Sequence, residues 1–174
     1  MDEANLANAW LAAVARPQIR AALESIYSDA AGAIAARGPA CWASGRCCNF
    51  EKHGHRLYVT GLEAAYCIAR LPEIAAKRPE SFTETRLRLI VLEAVRERGG
   101  CPFQVRNLCG VHTIKPLGCR IYFCDRSAQQ WQHDLTEALL GRIRALHDEH
   151  GIEYRYGEWR EMLARFGDDR AMRA

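Results

Sequence analysis

Apolar residues recur at helical spacing over much of this chain. Leu6, Trp10 and Val14 share one face of a segment running Asn5–Ala15. Ile19, Leu23, Ile26, Tyr27, Ala30 and Ile34 form a 3.6-residue stripe from Pro17 to about Arg37. Pro17 suits the first turn of that second helix, where a missing N–H costs little, and Gly38-Pro39 ends it. Arg56–Thr60 reads as a short strand. Thr60 and Glu63 then make a capping box. The helix they open carries Leu62, Ala65, Tyr66, Ile68 and Ala69 and is expected to stop before Pro72. A second capping box, Ser81 with Glu84, opens a helix to about Arg98, with Leu87, Ile90, Val91, Ala94 and Val95 turned inward. The longest predicted helix runs from Ser127 to about His150, striped by Trp131, Leu135, Leu139, Ile143 and Leu146 and ended by Gly151. A last helix is predicted over Gly157–Phe166, and the tail after Gly167 is expected to fray.

Two stretches break this rhythm. Residues 41–50 read as a loop, followed by a polar turn at His53, Gly54 and His55. Residues 101–124 hold Pro102, Gly110, Pro116 and Gly118 and read as mostly irregular backbone, with Ile121-Tyr122-Phe123 as a short extended piece. The expected fold class is mainly α: a single helical domain over 1–174 with two irregular cysteine-bearing loops and at most minor β. Its parts are N-terminal helices (1–40), a cysteine-cluster region (41–124) and C-terminal helices (125–174). A length of 174 residues suits one domain with a sizeable core.

Composition narrows the function classes. Hydrophobic residues make up 49% and charged residues 26%, an ordinary globular balance that argues against wholesale disorder. The net charge is +3, too balanced to point to nucleic acid or an anionic membrane. Lysine is rare (Lys52, Lys77 and Lys115) and arginine abundant, a bias attributed to genome composition rather than to a binding surface. The apolar runs, such as Ala30–Ala36, are too short to span a bilayer, and the N-terminus has no secretory signal pattern. The expected location is the cytoplasm.

Cysteine is the anomaly. Seven of the eight lie in two windows: Cys41, Cys47 and Cys48, then Cys101, Cys109, Cys119 and Cys124. Disulfides are rare in a reducing cytosol, so such clustering points to metal or redox chemistry. Four thiolates suit Zn²⁺ or an iron–sulfur cluster. No C-x-x-C pair is present, which favours an iron–sulfur cluster over a zinc ribbon. One zinc-like element remains, Cys109-Gly-Val-His112. The adjacent side chains of Cys47 and Cys48 are expected to diverge, so the first four ligands read as Cys47 or Cys48 with Cys101, Cys109 and Cys119. Cys41 and Cys124 come next. Arg46 and Arg120 are placed to offset thiolate charge, and Trp42, Phe50, Tyr122 and Phe123 to shield the site from water.

The motifs Cys41-x5-Cys47-Cys48-Asn-Phe50, Cys101-Pro-Phe103, Cys109, Lys-Pro116-Leu-Gly-Cys119-Arg120 and Cys124 resemble the C-x-x-C-x-x-C-C cysteine-cluster family of zinc- or iron-chelating domains, related to flagellin lysine N-methylase. The resemblance covers about residues 41–124 and implies metal chelation, with iron–sulfur and zinc both open. Its second cysteine position holds Ser44 here. A site built from every family position is then one ligand short, to be filled by His112 or water or not formed at all. The methylase members imply S-adenosylmethionine and a protein substrate through resemblance alone.

The remaining residues have plainer readings. Cys67 sits on an amphipathic helix and reads as a small core residue. His53, His55, His133, His147 and His150 are expected to face solvent. No G-x-G-x-x-G, P-loop or C-x-x-x-C-x-x-C run is present, and no nucleophile–base pair stands out, so enzyme status stays open. Three function classes follow: a metal-stapled binding or structural domain, a redox or electron-transfer protein, and a methyltransferase-like enzyme.

Overall fold

The computed structural model describes residues 3–77 and 99–166. The helix expected over Ser81–Arg98 and the tail after Gly167 lie outside the described residues. The rest is mainly α with minor β, as the pattern implied. Helix α1 spans Glu3–Ala15 and α2 spans Pro17–Arg37. Pro17 opens α2, and Gly38 closes it in the left-handed conformation (φ 61°) with its N–H on Ile34 O. A short helix α3 (Phe50–His53) leads to strand β1 (Tyr58–Thr60) and then α4 (Gly61–Lys77).

The capping box at the head of α4 is formed in full. Glu63 Oε2 accepts from Thr60 N (2.9 Å) and Thr60 Oγ1 (3.0 Å), while Thr60 Oγ1 accepts from Glu63 N (3.3 Å). The other carboxylate oxygen accepts from Leu117 N (2.7 Å), so one buried side chain ties α4 to the head of α5 (Leu117–Ile121). Burial raises the Glu63 pKa, against the backbone N–H bonds from Thr60 and Leu117 that lower it.

α4 does not stop before Pro72, as expected from the proline; it runs through it to Lys77. A proline removes one helical hydrogen bond. Here Arg70 reaches across the gap to Glu73 (2.7 Å) and also pairs with Glu24 on α2 (2.5 Å), while Leu71 is buried.

Two small antiparallel pairs complete the described secondary structure. β1 pairs with β4 (Tyr156–Glu158) in the register Tyr58–Glu158, Val59–Gly157 and Thr60–Tyr156. β2 (Gln104–Val105) and β3 (Leu108–Cys109) form a hairpin inside the second cysteine window. Arg106 and Asn107 at its tip both have positive φ (49° and 64°), as a two-residue type I′ turn requires.

The other boundaries shift by a few residues. A 3-10 turn over Arg126–Ala128 precedes the long helix α6 (Gln129–Glu149). The final helix α7 is shorter than expected, Trp159–Ala164, because residues 156–158 pair as strand β4. Ile121 closes α5 instead of opening an extended piece; Tyr122 beyond it has extended backbone.

The core joins both ends of the chain. α1 packs on α4, α2 on α5 and α6, and α7 on α4, β1 and β4. Trp10 lies directly over Gly61 and donates from Nε1 to Glu153 O (2.8 Å). Its ring centroid stands 6.3 Å from that of Phe166. Phe103, from the second cysteine window, packs 5.9 Å from Trp159. Leu139, Ile143 and Leu146 of the α6 stripe are buried, whereas Trp131 and Leu135 are half-buried near its start and Ala69 on α4 is exposed.

Candidate metal centre

Backbone contacts hold the two cysteine windows together. Cys101 N donates to Cys48 O (2.6 Å), and Glu51 N donates to Gly99 O (2.7 Å). Gly45 adopts φ 70°, and its carbonyl accepts from Cys48 N (3.1 Å), Asn49 Nδ2 (3.0 Å) and Gln104 Nε2 (3.1 Å). The last of these bonds comes from the β2–β3 hairpin. A Cβ at Gly45 would lie 2.7 Å from Asn107 O, and one at Gly100 would lie 2.8 Å from Cys48 O. Both glycines therefore permit close approach of the windows.

This knitting draws the thiols together. Cys47 Sγ stands 4.0 Å from Cys48 Sγ, so these neighbours do not diverge as expected. The Cys48 thiol interacts with those of Cys101, Cys109 and Cys47, and these hydrogen bonds raise its pKa. The same bonds from Cys48 lower the pKa of Cys47 and of Cys109, with the Lys115 ammonium assisting both. A lowered pKa favours the thiolate, the form that binds metal. Cys119 feels the charges of Cys101, Cys109 and Cys47; its thiol faces inward although the residue is only half-buried, and burial raises its pKa. Cys67 is fully buried on α4 as expected, and burial, with the charges of Cys101 and Cys109, raises its pKa. Five clustered cysteines thus share one locality: Cys47, Cys48, Cys101, Cys109 and Cys119. Cys41 is exposed and Cys124 half-buried, and the field of Cys124 reaches Tyr122.

The donor set is soft sulfur. Residues 99–124 contain no carboxylate at all. That chemistry fits zinc or an iron–sulfur cluster and not a hard cation such as Mg²⁺ or Ca²⁺. Among the described residues, no three or more Cys, His, Asp or Glu side chains already stand at the spacing of a formed metal site.

Several neighbours differ from expectation. Arg120 lies over the Tyr27 ring (4.0 Å to its centroid) and donates to Thr113 O (2.9 Å). The cation that acts on Cys47, Cys109 and Cys119 is Lys115, which the sequence reading passed over. Its signal was there to use: one of three lysines, placed inside the second window. His112 is exposed and its Nε2 meets Lys115 Nζ (3.1 Å). His55 is not a free solvated ring. It stacks on Tyr122 (5.2 Å), meets the edge of Phe50 (5.5 Å) and contacts Cys47 O through Nε2 (3.4 Å). Trp42 does not shield the site, being 64% exposed, whereas Phe50 is buried beside it.

Compared with protein-family models, with curated proteins and with solved structures, the chain shows no match.

Proposed function

We propose that this chain is a metal-binding cysteine-cluster protein. Its thiols at Cys47, Cys48, Cys101, Cys109 and Cys119 would take an iron–sulfur cluster or zinc, with Cys41 and Cys124 at the periphery. One observation carries the reading: thiols from windows more than 50 residues apart in sequence meet at one place, held by direct backbone bonds between those windows. The soft, carboxylate-free donor set and the Lys115 ammonium beside three of the thiols support it. The irregular cysteine spacing favours iron–sulfur over zinc. The resemblance to the chelating-domain family supports chelation in general terms and leaves the biological role open.

The test is metal and acid-labile sulfide content after anaerobic purification, read with the visible spectrum. A brown protein with iron and sulfide near about four each supports a cluster. A colourless protein with one zinc supports a thiolate zinc site. Loss of that metal in Cys101→Ser and Cys109→Ser, with retention in Cys41→Ser, would support the ligand set. Neither metal, with every cysteine titrating as a free thiol, overturns the proposal.

A further inference from the structure

Charge is distributed unevenly along this chain. Residues 38–58 and 99–126 carry seven basic side chains against two acidic ones, whereas the remainder carries seventeen against nineteen. Both acids are already engaged. Glu51 pairs with Arg160 (3.4 Å), and Asp125 accepts from Ser127 N (2.9 Å), Ser127 Oγ (2.7 Å) and Ala40 N (3.3 Å). Among the seven basic residues, Arg46, Lys52, Arg56, Arg106 and Arg126 are exposed.

The same region carries four of the large apolar side chains that are exposed: Tyr58 (46%), which stacks on Tyr156, and, within the cysteine windows, Trp42 (64%), Leu108 (59%) and Tyr122 (42%). Contacts place the last three around one rim. Gly45, beside Arg46, lies against Asn107 at the hairpin tip, flanked by Arg106 and Leu108. Arg46 acts electrostatically on Tyr122 and, with Lys52, on His53. Trp42 lies in the same loop, three residues before Gly45, and is exposed.

We propose that this rim is a docking surface for an acidic protein partner, one that presents apolar residues among its carboxylates. Net charge of one sign around apolar anchors is the pattern by which protein surfaces steer and then seat a partner. The anchors favour protein over single-stranded nucleic acid. One is aliphatic, and the Tyr122 ring already has a face covered by His55, so the rim lacks the run of open aromatic faces that stacks bases. The surface stands whether or not the neighbouring thiols hold a metal.

The test uses the protein as purified and a fluorescein-labelled peptide alternating glutamate with leucine and phenylalanine, followed by anisotropy. Poly-glutamate and a thymidine homopolymer are the comparison probes. The amphipathic acidic peptide is expected to bind more tightly than either comparison probe and to weaken as salt rises. It should weaken about tenfold in Arg46→Glu/Arg106→Glu and again in Trp42→Ala/Leu108→Ala. Arg20→Glu, exposed on α2, should leave binding unchanged. Far-UV circular dichroism confirms that each variant is folded. No binding by the parent protein overturns the proposal, as does equal loss in Arg20→Glu. Binding that ignores Trp42→Ala/Leu108→Ala, or thymidine polymer binding as tight as the peptide, overturns it as well.

Discussion

His147 was expected at the solvent face of the long helix, because two histidines near a helix C-terminus suit its dipole. It is instead fully buried on α6, edge-on to Tyr154, with Nδ1 on Ile152 O (3.2 Å). A neutral ring with its proton on Nδ1 makes that bond. Nε2 is buried with no partner among the described residues, so a second proton would place charge where nothing accepts it. Burial accordingly lowers the His147 pKa from its ordinary 6.5. In the unfolded chain the ring takes up its proton near that ordinary value, whereas in the folded chain it resists until lower pH. Stability from this residue is therefore full above about pH 6.5 and is lost as pH falls toward the folded value. Urea midpoints at pH 7.5 and 5.5 should differ in that direction, and His147→Phe should narrow the difference. An unchanged gap would remove His147 as its source. Glu63 offers a second residue-scale prediction. Glu63→Ala strands three donors in the core, Thr60 N, Thr60 Oγ1 and Leu117 N, and should cost about 2–4 kcal/mol in urea unfolding. Glu63→Gln, which keeps the shape and one carbonyl, should cost less.

At the scale of elements, local grammar was readable where neighbours in sequence decide the outcome. The Thr60–Glu63 box, Pro17 at the head of α2 and Gly38 at its end all act within a turn of themselves, and all three stand where the pattern put them. The end of α4 was not readable, since proline ordinarily breaks a helix interior and α4 nevertheless continues through Pro72 to Lys77. The β2–β3 hairpin was hidden for a different reason. Its tip is Arg106-Asn107, with no glycine to announce two positive φ angles. The same logic separates glycines that matter from those that do not. Gly45 and Gly54 both have positive φ, but only Gly45 faces a neighbour, Asn107 O, that a Cβ would meet at 2.7 Å. Gly54→Ala should cost only backbone strain, roughly 1 kcal/mol. Gly45→Ala should cost more and also push the hairpin off the first window. Thermal melting together with the iron or zinc content of the two variants would check this: metal should fall in Gly45→Ala and hold in Gly54→Ala.

For the whole molecule, the clustering of cysteine in two windows was legible as composition, but their meeting was not. It depends on bonds such as Cys101 N to Cys48 O, which join residues that no periodicity relates. The core between α1, α4 and α7 is built on Trp10, Leu62, Trp159 and Phe166. The windows themselves are short turns, a two-residue-strand hairpin and small helices, elements with few internal bonds to hold them alone. A metal bound by both windows would then stabilise mainly the windows. Chelation under anaerobic conditions should raise amide hydrogen exchange across residues 41–55 and 99–112 while leaving α1 and the first turns of α4 protected. Phe103 of the second window is fully buried against Trp159, so the loss should spread to α7 before it reaches α1. Global unfolding in a single step on chelation would instead mean that the windows and the helical core are one cooperative unit. The thiolate staple would then stabilise the entire fold.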